Sequence, residues 1–293
     1  MRIGIDIGGT TVKIGFVDNY KIIDKYEIET KKDSLFEDIF EFLKTKCDLN
    51  KVEEIGFGIP GNVKNNYIYK MPNIGLNDID LNQVAAKYTK VLIKSSNDAN
   101  CAALGEALYK NEYKSSYFIT LGTGVGGGYV LDGKVIDGAH SACGEIGHIY
   151  VDPVNEFKCT CGLSGCVETI ASATGIVRLA KCYKDKYKTN IDFSNISAKS
   201  VIDSARLNDE LGLFVLEYVA KALARLLSTL SVSNDVDCFY IGGGVSKAGN
   251  ILIDKIKEYY DKYSFYACKD TVIKLAELGN DAGMLGSAYL WVN

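Results

Sequence analysis

Three thiols and one imidazole stand at a spacing suited to a metal: His148, then Cys159, Cys161 and Cys166 within Cys159-Thr160-Cys161-Gly162-Leu163-Ser164-Gly165-Cys166. Such a nitrogen–sulfur set selects Zn2+. Four protein ligands leave no open coordination position, so the ion is expected to be structural rather than the catalyst. Gly162 and Gly165 permit the chain to fold back tightly between the last two thiols. Two carboxylates, Glu145 and Glu168, flank the loop, and its expected task is to shape the segment between them. His140, the other of the two histidines, has no comparable setting and reads as structural or exposed.

Glycine-rich turns form a second group: Gly8-Gly9-Thr10, followed by Thr11 and Lys13; Gly122-Thr123-Gly124 with Gly126-Gly127-Gly128; and Gly242-Gly243-Gly244. Each follows an apolar run that reads as a strand. Backbone N–H groups in such turns can approach phosphate oxygens with no side chain between. One turn alone could be only a tight hairpin; three, two of them in duplicated context, point to phosphate. Neither G-x-G-x-x-G opening a helix nor G-x-x-x-x-G-K-[ST] is present, which argues against Rossmann and P-loop sites. Asp6 sits among apolar residues at a strand end, where an unpaired carboxylate is costly. A Mg2+ bound directly or through water resolves that cost.

The third group is Ser96-Asn97-Asp98-Ala99-Asn100, which follows the apolar run Val91–Lys94 and opens an alanine-rich stretch. It reads as strand, cap, helix. Either Asn97 or Asp98 could serve only as the N-cap. The functional reading makes Asp98 a base at the strand–helix junction, accepting a hydroxyl proton while the helix dipole favours its charged form.

The elements that must position these groups alternate. Candidate strands are Arg2–Ile7, Glu54–Ile59, Val91–Lys94, Tyr117–Leu121, Cys238–Ile241 and Val272–Leu275. Helical patterns run over Leu35–Lys46, opened by a Ser34/Glu37 capping box, and over about Leu211 to Leu230, apolar on most sides and so buried. This alternation predicts α/β layers with ligands at the carboxyl ends of strands. Ile5-Asp6-Ile7-Gly8-Gly9-Thr10 to Asp18 repeats as Ile119-Thr120-Leu121-Gly122-Thr123-Gly124 to Asp132, at one constant offset. A repeat this far apart predicts two similar domains, 1–112 and 113–280, with the boundary near Asn111–Lys114.

The chain has 293 residues, 47% hydrophobic and 24% charged, with net charge −4. These values fit a globular protein with a sizeable core and give no basic footprint for nucleic acid. No run approaches a membrane span. The N-terminus enters a strand directly and lacks the features of a signal peptide, so the expected location is the cytosol. The nine cysteines do not read as a disulfide framework. Cys47, Cys101, Cys143, Cys182, Cys238 and Cys268 read as small buried or half-buried residues.

Taken together, these residues resemble the ROK family of sugar kinases and sugar-responsive repressors over nearly the whole chain. The likeness is carried by Asp6–Thr10, Gly58-Ile59-Pro60-Gly61, Asn97-Asp98-Ala99-Asn100, Leu121–Gly128, Glu145-Ile146-Gly147-His148 and Cys159–Glu168. The cysteine motif is the specific part, since the glycine turns are shared with actin-like ATPases generally. The resemblance implies two actin-like (ribonuclease H-like) domains around a cleft, with ATP and Mg2+ as cosubstrates and structural Zn2+. It also implies transfer of the γ-phosphoryl group to a hexose hydroxyl, usually on C6. Asp98 falls on the family's catalytic base; Gly61, Asn97, Glu145, His148 and Glu168 fall on sugar contacts. His148, Cys159, Cys161 and Cys166 fall on its zinc ligands, and Gly242-Gly243-Gly244 on its adenosine-side turn. The last helix, 281–293, is implied to return to the first domain. Many members are homodimers, although no local dimer signal is visible.

Glucose is the expected acceptor, because Asn97–Asn100 with Ala102–Glu106 is similar to bacterial glucokinases of the family. N-acetylmannosamine, N-acetylglucosamine and fructose kinases share nearly all these motifs, and the expected difference lies near Gly61-Asn62 and Met71-Pro72-Asn73. Family repressors carry a helix-turn-helix ahead of the first turn, for which Asp6 leaves no room. An actin-like chaperone or filament protein is disfavoured by the zinc loop.

Overall fold

The computed structural model describes residues 1–291. Strands β1 (Arg2–Ile7), β2 (Thr11–Asp18) and β3 (Lys21–Glu29) form an antiparallel meander. Helix α1 (Leu35–Lys46) follows, then β4 (Glu54–Ile59), parallel to β1. A small hairpin sheet, β5 (Asn62–Lys64), β6 (Tyr67–Met71) and β7 (Leu76–Asp80), leads into the short helix α2 (Leu81–Ala85). Strand β8 (Leu92–Asn97) then pairs parallel to β4, and α3 (Asp98–Lys110) departs from its end.

The sequence repeat reappears as repeated topology. Strands β9 (Ser115–Leu121), β10 (Val125–Leu131) and β11 (Lys134–Val135) open a second sheet. Helices α4 (Glu168–Ala171), α5 (Ala173–Tyr183), α6 (Ala198–Arg206) and α7 (Glu210–Asn234) precede β12 (Cys238–Gly242). Helix α8 (Asn250–Tyr263), β13 (Val272–Leu275) and α9 (Ala282–Ala288) complete the chain. The sheet orders are β3-β2-β1-β4-β8 and β11-β10-β9-β12-β13, one pattern used twice. The first copy's β2–β3 turn uses Asn19 and Tyr20 at positive φ, and the second copy's β10–β11 turn uses Asp132 and Gly133. The β2/β3 register also shifts at a bulge between Phe16 and Val17.

By contact the chain divides into two compact units, one of Met1–Lys114, Gly128–Gly144 and the segment from Glu277, the other of Ser115–Gly127 and Glu145–Ala276. The expected boundaries assigned 113–280 to one domain. Gly128–Gly144 instead packs with the first unit, where Asn100 Nδ2 donates to Asp137 Oδ1 at 2.9 Å and Lys64 Nζ to the Ala139 carbonyl at 3.1 Å.

The first unit's core is built by the apolar face of α1 (Leu35, Phe36, Ile39, Phe40, Leu43) against the sheet. Its expected capping box does not form, because the Ser34 hydroxyl donates to Asp38 Oδ2 at 3.0 Å instead of accepting a helix N–H. Small residues let α9 lie directly on β1, β4 and α3. A Cβ on Gly4 would stand 1.8 Å from the Met284 carbonyl oxygen, one on Gly56 1.7 Å from that of Ser287, and one on Gly286 1.7 Å from that of Cys101. Val292 and Asn293, included in the expected C-terminal helix, lie outside the described residues.

In the second unit α7 is buried on most sides, as its sequence predicts, and Asp209 caps it by accepting the Gly212 N–H at 3.0 Å. Cys182 departs from expectation and is exposed, at the edge of the buried α5 stripe of Gly175, Ile176, Leu179 and Ala180. Among the described residues no helix is long and apolar enough to cross a membrane.

Candidate functional site

In the first unit the residues singled out by chemistry collect at the carboxyl ends of three parallel strands. The register pairs Asp6 with Gly58 across β1/β4, and Ile59 with Asn97 across β4/β8. The first glycine turn, Gly61 and the start of α3 therefore leave one edge of the sheet, where α/β folds bind ligands.

The turn after β1 is locked from within. Gly8 N–H donates to the Thr11 carbonyl at 2.9 Å, and the Thr30 hydroxyl to the Gly8 carbonyl at 2.8 Å. Gly9 and Thr10 are exposed at its tip. Thr30, at the end of β3, carries no sequence signal and was missed. Asp6 lies opposite Lys13 in the β1/β2 register. Burial pushes its carboxyl above the ordinary range, while the Lys13 ammonium opposes that shift. A carboxylate whose charge burial disfavours suits a divalent cation, so Asp6 fits a Mg2+ held directly or through water.

The question of which residue caps α3 is settled by geometry. Asn97 Oδ1 accepts the Ala99 N–H at 2.9 Å, and Asn97 Nδ2 donates to the Gly61 carbonyl at 3.2 Å. Asn97 thus closes the helix and ties it to Gly61, leaving Asp98 as the first helical residue. Asp98 Oδ1 shares the Ala99 N–H at 2.9 Å. Burial pushes its carboxyl up to about 6, assisted by the Asp6 carboxylate and opposed by the Ala99 N–H. Gly61 must be glycine, since a Cβ there would lie 2.0 Å from the Lys70 carbonyl oxygen. Met71, expected to line a pocket with Pro72 and Asn73, is fully buried in the hydrophobic core instead, whereas Pro72 and Asn73 are exposed.

In the second unit His148 ends a short 3-10 turn, Ile146–His148, and the three cysteines sit on a hairpin-like loop. Isolated bridges pair Tyr150 with Cys166 and Lys158 with Ser164. Gly162 and Gly165 adopt φ of +92° and +74°, the left-handed backbone that this double reversal requires. Ligand atoms of His148, Cys159, Cys161 and Cys166 all lie within 4.8 Å of one another. Cys159 Sγ is 3.5 Å from His148 Nδ1, and Cys161 Sγ is 3.8 Å from Cys166 Sγ. A zinc tetrahedron with bonds of about 2.3 Å to sulfur and about 2.0 Å to nitrogen has S···N and S···S edges of about 3.5 and 3.8 Å. The four residues fit that ion. Nε2 of His148 points away from the thiols and lies 3.8 Å from Glu145 Oε2. His140 is exposed.

Glu168 stands at the first residue of α4. Its Oε2 accepts the Val125 N–H at 3.0 Å, and its Oε1 is 3.8 Å from Cys159 Sγ. The cysteine loop and the second glycine turn are therefore joined through one carboxylate, a contact no sequence spacing reveals. Within the turn Gly122 N–H donates to the Gly124 carbonyl at 3.0 Å, and the Thr174 hydroxyl donates to the Thr123 carbonyl at 3.0 Å. Gly126 and Gly127 belong to β10 itself, and Gly127 is buried where a Cβ would meet Ile146 Cδ1 at 2.4 Å. The third turn lies beside the second, because β12 runs parallel to β9 with Gly242 opposite Thr120. Gly243 (φ +85°) abuts the Leu121 backbone, and Gly244 is open.

Comparison with known proteins matches residues 2–293 to the ROK family. The chain is 37% identical to a glucokinase of Halalkalibacterium halodurans, over 98% of this chain and 94% of that one. It is 34% identical to an N-acetylmannosamine kinase of Haemophilus influenzae, over 99% and 94%. The structure of a ROK family glucokinase from Streptomyces griseus in complex with glucose and AMPPNP superposes with a TM-score of 0.77 at 28% identity, over 99% and 98%. The chain therefore belongs to the ROK family and has the two-domain actin-like ATPase fold of its sugar kinases.

Proposed function

We propose that the protein is an ATP-dependent hexose kinase that transfers the γ-phosphoryl group to the 6-hydroxyl of glucose. The observation that carries this reading is Asp98. Asn97 relieves it of capping duty, and burial holds its carboxyl near 6. At neutral pH such a group is ionised yet basic enough to accept a hydroxyl proton in the transition state.

The other roles follow from chemistry of the same kind. Gly61, Asn97, Glu145, His148 and Glu168 are assigned to sugar contact in this reading. Metal ligation through Nδ1 of His148 fixes the ring tautomer and leaves Nε2 to donate to a sugar hydroxyl. The turns at Gly8–Thr11 and Gly122–Gly124 offer N–H groups to phosphate oxygens, Lys13 adds positive charge, and Gly242–Gly244 serves the adenosine side. Mg2+ at Asp6, when bound, offsets the charge that develops on the phosphoryl oxygens. Asp98 receives the proton as the sugar oxygen bonds to phosphorus and the ADP oxygen leaves. Positioning and charge neutralisation are the main demands of this transfer.

Glucose is favoured by the glucokinase relative at 37% identity. The N-acetylmannosamine kinase at 34% supports a second reading in which the acceptor carries an N-acetyl group on C2. A coupled ADP-release assay over glucose, fructose, mannose, N-acetylglucosamine and N-acetylmannosamine separates them. Glucose is expected to give the highest kcat/KM. A higher value for either N-acetyl sugar selects the second reading, and no response to any sugar overturns both.

A further inference from the structure

We infer that Glu168 has a second task, as the positioning residue of the nucleotide's glycine turn, so that the cysteine loop acts on ATP as well as on sugar. The inference rests on the assignment of Gly122–Gly124 to phosphate binding. Val125 follows that turn immediately, at the position equivalent to Thr11 in the first copy of the repeat. In the first copy the turn closes by a bond from Gly8 N–H to the Thr11 carbonyl. In the second copy the Gly122 N–H reaches Gly124 instead, and the Val125 N–H is held by Glu168 Oε2 at 3.0 Å. The carboxylate presses close, for a Cβ on Gly124 would stand 2.3 Å from Oε2 and 3.2 Å from Cδ. Glycine at 124 thus makes room for this side chain, in addition to any approach by phosphate.

Glu168 is itself fixed by the loop that ends just before it. Cys166 lies two residues upstream, the Thr169 hydroxyl donates to the Cys166 carbonyl at 2.7 Å, and Oε1 faces Cys159 Sγ at 3.8 Å. A bond from an amide to a carboxylate is stronger than one between neutral groups, and it fixes where the neighbouring N–H groups of the turn point. Losing it lets the turn rearrange before any sugar is present.

The test measures nucleotide binding without sugar. Mg·ADP is titrated calorimetrically into wild type, Glu168→Ala, Glu168→Gln and Glu145→Ala, with zinc content and far-UV circular dichroism checked on each preparation. Glu168→Ala is expected to weaken Mg·ADP about tenfold and to speed amide exchange in the peptide containing Val125. Glu168→Gln keeps an oxygen acceptor, so its Mg·ADP affinity is expected within about threefold of wild type, although sugar KM rises. Glu145→Ala is expected to raise sugar KM and leave Mg·ADP affinity unchanged. Unaltered Mg·ADP affinity and Val125 exchange in a folded Glu168→Ala, with sugar KM raised, overturns the inference and leaves the kinase reading intact. If Glu168→Ala does not fold, the glutamine variant decides through Val125 exchange: exchange faster than wild type, as loss of charge assistance to that amide requires, supports the acceptor role, and unchanged exchange refutes it. Failure of wild type to bind Mg·ADP refutes the kinase reading and the inference together.

Discussion

Replacing Asp98 with Asn removes a charge that the fold holds at a cost, and so should stabilise the protein while disabling it. Burial moves this carboxyl from an ordinary 3.8 to about 6. That displacement corresponds to about 3 kcal/mol against the charged form. Asn keeps an oxygen for the Ala99 N–H, now at 2.9 Å from Asp98 Oδ1, and the charge assistance lost from that bond is already part of the displacement. The net gain at pH 7.5 is therefore about 2–3 kcal/mol, or about 4–8 °C in Tm. Its pH dependence has a definite sign. A carboxyl with a raised folded-state value penalises the fold fully above about pH 6, and the penalty fades as pH falls toward 3.8, where both states are protonated. The advantage of Asp98→Asn should accordingly shrink between pH 7.5 and pH 5. Thermal and urea unfolding of both ligand-free proteins at the two pH values measures it. Steady-state assays on the same samples should show kcat reduced about 10²–10⁴-fold. A variant that is no more stable than wild type at pH 7.5, with near-normal kcat, refutes the reasoning on both counts.

Three other outcomes follow from the same geometry. The kcat/KM profile of the wild type should fall on the acid side with a midpoint near 6, as Asp98 takes up its proton; a profile flat down to pH 5 places the base elsewhere. Cys159→Ser should lose most bound zinc by elemental analysis, because a neutral hydroxyl is a poor ligand beside the His148 nitrogen 3.5 Å away, and sugar KM should rise on the same preparation; full zinc occupancy contradicts the assigned ligand set. Gly286→Ala places a Cβ 1.7 Å from the Cys101 carbonyl oxygen, where backbone must move, and should cost at least about 2 kcal/mol in urea unfolding; wild-type stability means that α9 does not sit as described.

Much of the fold was legible because its elements carry their own local signals. The duplicated glycine turn announced two sheets of one topology, and α1 and α7 showed their buried faces in the spacing of apolar residues. The grouping of His148, Cys159, Cys161 and Cys166 was legible because sulfur and imidazole in a short glycine-punctuated loop have few uses other than holding a metal. Local chemistry was less reliable where two partners compete. Ser34 and Glu37 have capping-box spacing, but Asp38 takes the Ser34 hydroxyl. Asn97 and Asp98 both suit an N-cap, and only the tie from Asn97 to the Gly61 carbonyl decides between them. Long-range contacts left no trace in the spacing. The Thr30 lock on Gly8, the Glu168 bond to Val125 and the pairing of Asn100 with Asp137 each join segments that only the completed fold brings together. Met71 shows the converse, a residue in a plausible pocket-lining stretch that the hairpin sheet turns into the core.

In the proposed reaction the γ-phosphoryl group moves from ATP to a hexose hydroxyl with Asp98 as the base. The most direct measurement is 31P NMR of a reaction containing the protein, Mg·ATP and glucose, with Asp98→Asn run in parallel. ATP signals are expected to decline in step with growth of ADP and of one sugar phosphomonoester on the C6 oxygen, and that growth is expected to be nearly absent in the variant. Release of inorganic phosphate in place of the sugar ester, or equal ester formation by Asp98→Asn, contradicts it.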